Sequence, residues 1–169
     1  MSRDAFDALL NGWTANIDPQ PEGGALPAHH SQCLGCGSEN PHGHHLLVVR
    51  ESENSVTADH TFDSRHVGAP GIAHGGAVAT VFDDLYGFLL YSIGKLAVTR
   101  KLEVEYLRPV RLDVQYTLRA VSSDPDGRKI HMTATLEDGT GDALARSDAL
   151  FVIVDIEHFK SQGQLNREP

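Results

Sequence analysis

The sequence is poor in cysteine, tryptophan and methionine, and it has no long apolar run. Its two cysteines, Cys33 and Cys36, lie too close together to frame a disulfide scaffold. With no recognisable signal peptide at its start, the chain is expected to work in a reducing cytoplasm. The longest apolar stretches are far shorter than a membrane span, so no membrane partner is expected.

Basic residues are also scarce, since 14 Lys and Arg stand against 23 Asp and Glu and give a net charge of −9. This acidic balance argues against nucleic acid as the main partner, because nucleic acids are polyanions. It argues weakly against any large anionic ligand, which would need a local group of basic side chains. The 169 residues, 40% of them hydrophobic, are enough to bury the core of one domain.

The chain divides into three parts by composition. Residues 1–30 hold a short helical pattern and a linker rich in proline and glycine at 18–27, residues 31–157 form the predicted domain, and residues 158–169 form a polar tail. The helical pattern is a single apolar stripe of Phe6, Leu9, Leu10 and Trp13. It predicts a cap helix tied loosely to the body, and a lid over a binding site is the alternative.

Within the domain, the periodicity of apolar residues predicts an α+β order of two strands, one long helix and four further strands. The helix is expected at about 75–92, where Val78, Val81, Phe82, Leu85, Phe88 and Leu89 repeat at helical spacing. The strands are expected at 46–50, 55–62, 98–106, 112–121, 129–136 and 143–156. Because the helix is apolar over a broad stripe, a largely antiparallel sheet is expected to wrap around it.

The opposite face of this helix carries small residues and one carboxylate, namely Gly76, Thr80, Asp83 and Gly87. Small residues let a ligand or another backbone approach closely, so this face is predicted to line a ligand channel or a subunit contact. A plain wet surface with an exposed aspartate is the alternative. Asp84, one step round the helix, is expected to be solvated or ion-paired.

The helix begins at His74-Gly75-Gly76, where free backbone N–H groups and a partial positive charge can hold an oxyanion. A tight turn that merely needs glycine is the alternative. His74 and Asp83 are nine residues apart, which is roughly 13 Å along a helix. They cannot both touch one carbonyl within a single chain, so a shared site predicts a dimer whose sites span the interface.

The segment from Gly68 to Asp83, Gly-Ala-Pro-Gly-Ile-Ala-His-Gly-Gly-Ala-Val-Ala-Thr-Val-Phe-Asp, resembles the hot-dog-fold thioesterases of the phenylacetate-pathway type and of the thioesterase superfamily. The resemblance runs from about Cys33 to Ile156 and includes the strand ending at 104–109. It implies a hot-dog fold and hydrolysis of acyl-CoA to free acid and CoA, with no cofactor. A homodimer is expected, with a dimer of dimers as the next level of assembly.

The resemblance also implies roles for individual residues. The family's catalytic carboxylate falls on Asp83, which acts on a water as general base or attacks directly as nucleophile. The thioester carbonyl lies over the helix start, polarised by the Gly76 N–H, while His74 helps to hold the loop or the substrate. Thr99, sixteen residues after the aspartate, hydrogen-bonds the water or the carboxylate. Further substrate contacts are expected from Gly75, His66 and Thr80.

Two features bear on substrate binding. Several relatives place an asparagine a few residues before the His-Gly-Gly, and that place falls here at about Gly68, which leaves the positioning of the attacking water open. The phosphates of coenzyme A need cations, and basic residues cluster after the helix at Arg100, Lys101, Arg108 and Arg111. Ordinary alternating charge on a solvent-facing strand is the alternative.

Other functions stay open. Cys33 and Cys36 have the spacing of zinc ligands, with His29, His30, His42, His44 and His45 nearby, but there is no second cysteine pair, and no bound metal is expected. A non-catalytic acyl-binding module of the same fold would bind without turnover, and a carboxylate on the small-residue face disfavours it. The later-helix Asp and His pair typical of hydratases is not found.

Overall fold

The computed structural model describes residues 3–15 and 21–157, and the side chains of residues 3–6, 9 and 13 are not described. The predicted tail at 158–169 and part of the predicted linker therefore lie outside the described residues. Of the predicted N-terminal stripe, only Leu10 has a described side chain, and it is buried on helix α1 (Arg3–Thr14). The division of the chain into three parts stays a prediction.

One long helix, α2 (Gly75–Ser92), and a six-stranded sheet make up the body of the described residues. The strands are β1 (Val49–Ser52), β2 (Ser55–Thr61), β3 (Val67–Ala69), β4 (Ile72–Ala73), β5 (Ala97–Tyr106), β6 (Gln115–Ser122), β7 (Lys129–Glu137) and β8 (Ala143–Ile153). The sheet has the order β1-β2-β6-β7-β8-β5, all antiparallel, while β3 and β4 pair as a separate hairpin. The predicted α+β class is confirmed. Neither described helix is long and apolar enough to cross a membrane.

Two strands begin later than their apolar patterns predict, because a residue with positive φ interrupts each. His45 has φ 53°, and the buried residues after it bond to the preceding loop and only join the ladder from Val49. Asp113 has φ 61°, and its N–H donates to the Phe62 carbonyl oxygen at 2.7 Å, so β6 starts only after it. His and Asp are enriched at positive φ but do not require it, so the sequence alone did not predict these two interruptions.

Helix α2 is the centre of the core. All six apolar residues predicted for its inner face are buried, and from Val81 to Ser92 every residue is buried except Asp83 and Gly87. The Tyr86 hydroxyl donates to the Ser147 carbonyl oxygen of β8 at 2.9 Å. Each fully buried large apolar side chain contributes about 1.5–3 kcal/mol, so the rotation of the helix about its axis is fixed.

The two edges of the sheet differ. The β1 edge is covered by the preceding segment, because Leu26 N–H donates to the Val48 carbonyl oxygen and Ala25 bridges to Val49. The other edge is β5, which pairs only with β8 and is exposed or half-buried beyond Ala97. Within the described part of the chain, β5 thus presents an open row of backbone groups that a further strand can pair with.

Three histidines form a buried cluster beside β2. The rings of His44 and His66 stack with centroids 3.9 Å apart, and His44 Nδ1 lies 3.2 Å from His60 Nε2. Burial, and then the neighbouring charge of His66, lower the pKa of His44 to about 3 and that of His60 to about 4. Both are therefore neutral in the folded protein at pH 7.

This cluster predicts acid instability. Below about pH 6.5 the histidines of the unfolded chain bind protons, whereas those of the folded cluster stay neutral. The free energy of unfolding therefore falls as the pH is lowered from about 6.5 towards 4. Over that range the free energy of unfolding should drop by on the order of 2 kcal/mol per buried histidine. Urea titrations at stepped pH measure it, and His60→Gln should flatten the slope. His131→Gln, at an exposed position on β7, is the matched control and should leave the slope of stability against pH unchanged. An equal slope in both variants contradicts the assignment.

Candidate active site

Asp83 lies on the exposed side of α2 and has a defined partner. Its Oδ1 accepts a hydrogen bond of 2.9 Å from the Thr99 hydroxyl on β5. Both residues are exposed in the single chain. The structure thus brings Thr99 to the carboxylate of Asp83, one of the two partners predicted for it. The second oxygen of Asp83 remains available to a ligand.

A β-bulge aims Thr99 at the helix. In the pairing of β5 with β8, Thr99 opposes Phe151 and Lys101 opposes Leu150, so Arg100 is the extra residue. Side chains on a strand alternate between its faces, and one extra residue reverses the alternation. Thr99 therefore shares a face with Leu102, whereas in a regular strand the two would point apart. Sequence reasoning did not predict this bulge, because nothing local to Arg100 marks it.

The start of α2 is held by contacts from both sides. His74 caps the helix, its Nδ1 accepting from the Gly76 N–H at 2.9 Å and its own N–H donating to the His66 carbonyl oxygen at 2.7 Å. The Tyr106 hydroxyl donates to the Gly75 carbonyl oxygen at 2.7 Å. Among the hydrogen bonds of the described residues, the Gly75 N–H has no partner.

Tyr106 was not predicted as a site residue. It is 51% exposed at the end of β5, and it fixes the backbone of the glycine whose amide is unpartnered. Partial burial raises the pKa of its hydroxyl, which keeps it a donor. The strand ending at 104–109, which belongs to the family resemblance and contains this tyrosine, is a sequence signal that could have pointed to it.

Strand β5 links the two halves of the candidate site. It contacts Asp83 through Thr99 and the helix start through Tyr106, so it crosses α2 obliquely from the aspartate to the N-terminus. Gly75 and Asp83 are nonetheless eight residues apart, roughly 12 Å along the helix. One carbonyl group cannot contact both within one chain.

The small-residue face of α2 is only partly open. The Thr80 hydroxyl donates to the Gly76 carbonyl oxygen at 2.9 Å, and both residues border the surface. Gly87 is half-buried, and a Cβ there would meet His29 Cε1 at 2.7 Å. The ring of His29 thus covers Gly87, and the predicted channel ends before it.

The predicted substrate contacts differ in accessibility. His66 is 6% exposed and lies in the histidine cluster, a burial that does not favour the contact predicted for it. Arg100 is exposed and forms no ion pair within the described chain. Lys101 pairs with Glu103 at 2.9 Å, and Arg108 with Asp142 at 3.1 Å, both on the surface where such pairs exchange easily.

A cleft of about 500 Å³ lies beside β4, the strand that leads into the helix start. It is lined by Ile72 of β4, by Arg108, Arg111 and Val114 from the segment that links β5 to β6, and by Asp138 after β7. Two of the four predicted basic residues therefore line one cleft. Apolar side chains flank them, as a long ligand with an anionic end requires.

Sequence comparison identifies the region that carries this site. A family model of the thioesterase superfamily matches residues 70–145. Acyl-coenzyme A thioesterase THEM4 of the rat is 30% identical over 89 residues, a match that covers 52% of this chain and 38% of the rat protein. The match thus spans little more than a third of that relative's length.

Solved structures with the same fold include thioesterases. The thioesterase superfamily protein RHA08564 has a TM-score of 0.69 and 29% identity over 72% of this chain and 60% of its own. A hypothetical thioesterase from Streptococcus pneumoniae, solved with coenzyme A, has a TM-score of 0.60 and 19% identity, and the match covers 63% of this chain and 84% of that chain. The PaaI protein of E. coli, from the phenylacetic acid degradation operon, has a TM-score of 0.59 and 15% identity, and the match covers 62% of this chain and 80% of that chain. The predicted hot-dog fold and the resemblance to its thioesterases are confirmed.

The close approach of Gly68 to His74 yields a prediction. A Cβ at Gly68 would lie 2.6 Å from His74 Cα, which is backbone and cannot swing away. Gly68→Ala should therefore lower the free energy of unfolding by about 1–3 kcal/mol, measured by urea denaturation. Gly139→Ala is the matched control, since a Cβ there meets nothing within 4 Å. Equal stability of the two variants would show that Gly68 does not hold the helix start.

Proposed function

We propose that this hot-dog protein is an acyl-CoA thioesterase, which hydrolyses the thioester to a free acid and coenzyme A. The observation that carries the proposal is the Asp83 carboxylate, exposed on the central helix and bonded to Thr99 at 2.9 Å. The name of the rat relative, acyl-coenzyme A thioesterase, and the coenzyme A in the Streptococcus pneumoniae structure support the choice of substrate class.

In the proposed reaction the thioester carbonyl lies over the start of α2. The Gly75 N–H donates to its oxygen, and the Gly76 N–H joins when the His74 ring releases it. Asp83 removes a proton from a water that attacks the carbonyl carbon, or attacks that carbon itself and is then released by water. The carbon–sulfur bond breaks and the coenzyme A sulfur takes up the proton. Thr99 fixes the orientation of the carboxylate.

The helix start and the aspartate of one site belong to different subunits in this proposal. The separation of about 12 Å along α2 requires it. The open β5 edge, which ends in the exposed pair Tyr106 and Leu107, offers a surface on which a second copy can continue the sheet. A two-fold axis there would bring the Asp83 of each chain towards the helix start of the other. Pairing of such dimers is a further level of assembly.

The cleft beside β4 is proposed to receive coenzyme A. Arg108 and Arg111 line it and can pair with phosphate oxygens, while Arg100 and Lys101 lie on the same strand as Thr99. Guanidinium groups bind phosphate in a bidentate way. In this proposal, phosphate oxygens replace Asp142 as the partner of Arg108, while Arg111 adds a second guanidinium.

Removal of the carboxylate tests the chemistry. Asp83→Asn should lower kcat at least about 100-fold, because the amide can neither take up a proton nor attack. Thr99→Ala should lower it by up to about tenfold through loss of one hydrogen bond. Hydrolysis is followed by thiol release across acyl-CoAs of varied length and aromaticity. Asp124→Asn, in an exposed turn, is the control.

The same experiment separates the alternative function. A non-catalytic acyl-binding module would bind acyl-CoA in calorimetry without releasing thiol, whether or not Asp83 is present. Near-wild-type hydrolysis by Asp83→Asn would remove this residue from the mechanism.

Replacement of the cleft arginines tests the binding of coenzyme A. Arg108→Ala and Arg111→Ala should each raise KM for an acyl-CoA about three- to tenfold, the loss expected for one ionic contact. KM for the same acyl group on pantetheine, which lacks the nucleotide phosphates, should not change. Arg119→Ala, on the sheet and paired with Glu51, is the control. An equal rise for both substrates contradicts phosphate recognition by this cleft.

A further inference from the structure

Four side chains of metal-binding type meet where the segment before the sheet crosses α2. They are His29, Cys33, Cys36 and Asp84, and one ligand atom from each lies within 4.8 Å of the others. We infer that they form a structural site for a tetrahedrally coordinated Zn²⁺ ion. This reverses the expectation of no metal drawn from the lack of a second cysteine pair, because His29 and Asp84 supply the two further ligands.

The distances between ligand atoms fit such a site. His29 Nδ1 lies 3.0 Å from Asp84 Oδ1 and 3.3 Å from Cys36 Sγ. Cys33 Sγ lies 3.2 Å from Asp84 Oδ1. Around a zinc ion with bonds of about 2.0–2.3 Å, neighbouring ligand atoms lie roughly 3.3–3.8 Å apart. These three pairs therefore need to open by only a few tenths of an ångström, and the remaining pairs lie within 4.8 Å.

The cluster is buried on the side of Cys36 and Asp84, half-buried at His29 and Cys33, and its polar atoms are not all satisfied. The side chains of His29 and Asp84 are 14% and 7% exposed, and Cys36 is 4% exposed. Asp84 Oδ2 and His29 Nε2 are buried without a hydrogen-bond partner in the described part of the protein. The ring of Phe88 lies 4.3 Å from that of His29. A carboxylate beside two sulfurs in apolar surroundings is costly, and a divalent cation bound by all four side chains would offset that cost.

The backbone around the cluster leaves room for close approach. A side chain at Gly35 would collide with the Asp84 carboxyl group, and one at Gly87 would meet the His29 ring at 2.7 Å. The loop is closed by two turns, in which Cys33 N–H donates to the His30 carbonyl oxygen at 2.9 Å and Gly37 N–H to the Cys33 carbonyl oxygen at 3.0 Å. These contacts hold both sulfurs against the helix.

The donor set selects the ion. Two thiolates, one imidazole and one carboxylate suit zinc, whereas magnesium and calcium prefer oxygen ligands alone. Four protein ligands leave no open coordination position, which is typical of a structural rather than a catalytic zinc. The ion would tie the segment at 29–36 to α2 next to Asp83 without taking part in the proposed hydrolysis.

The second histidine-rich cluster does not offer a comparable site. The rings of His44 and His66 are nearly parallel, at 10°, with centroids 3.9 Å apart. Imidazole lone pairs lie in the ring plane, so two stacked rings cannot both direct a nitrogen at one ion. Metal binding by this chain is therefore assigned to the cysteine-containing cluster.

Metal analysis and cobalt substitution test the site. The full chain, purified under reducing conditions and without a histidine tag, should hold about one zinc per chain. Exchange for Co²⁺ should give the intense visible bands of tetrahedral cobalt and a thiolate-to-cobalt charge-transfer band in the ultraviolet. Removal of zinc with a chelator should lower Tm by at least about 5 °C. These readouts do not depend on hydrolysis, so they stand apart from the proposed activity.

Variants assign the ligands. Cys33→Ser and Cys36→Ser should each lower the charge-transfer intensity by about half, because one of two thiolates remains, and Asp84→Asn should weaken cobalt binding while keeping the side-chain shape. His30→Ala, exposed in the same loop, is the control and should bind as the wild type does. Wild-type protein, fully reduced, that takes up no stoichiometric zinc or cobalt overturns the assignment. So does a cobalt spectrum without a charge-transfer band.

Discussion

Burial of helix α2 is the constraint on which the candidate site depends. The apolar residues of the helix fill the interior of the sheet, and from Val81 to Ser92 only Asp83 and Gly87 escape full burial. A helix held on so much of its circumference cannot rotate to hide or expose a side chain. Asp83 therefore reaches the surface by the geometry of the core, and one step along the chain Asp84 is turned inward. Neighbouring carboxylates thus receive different environments.

With the proposed function, this difference in environment assigns Asp83 to catalysis and Asp84 to stability. Asp83 meets a hydroxyl and open space, as a group that must contact substrate requires. Asp84 meets a histidine and two cysteines in a buried cluster, which suits the fixation of a preceding segment. Strand β5 adds the other half of the constraint, because its bulge at Arg100 places Thr99 against the carboxylate while its far end, through Tyr106, holds the helix start.

Local patterns in the sequence were sufficient for some features and not for others. The bounds of α2 and its buried face follow from a period of 3.6 residues, which depends only on near neighbours. The contact of Thr99 with Asp83 came from resemblance to a family. Contacts between distant segments produce three features that local patterns do not show: the bulge, the role of Tyr106 and the covering of Gly87 by His29. The contact of Cys33 with Asp84, 51 residues apart, is of the same kind. The cysteine pair with nearby histidines, His29 among them, but with no second cysteine pair, predicted no metal, because the fourth ligand, Asp84, joins them only in three dimensions.

The central claim is that each site combines the aspartate of one subunit with the helix start of another, and mixing of subunits tests it most directly. One variant is Asp83→Asn and the other is Gly75→Pro, and the two proteins are mixed. Gly75→Pro removes the amide donor at a position where the extended His74 (ψ 135°) tolerates a following proline. Gly75→Ala, which keeps the amide, controls for the added bulk near Tyr106. Each inactive variant alone should stay inactive, whereas an equal mixture, unfolded and refolded together, should recover about a quarter of wild-type activity, since half of the dimers carry one intact site. No recovery in mixtures shown by mass spectrometry to contain mixed dimers would contradict the account.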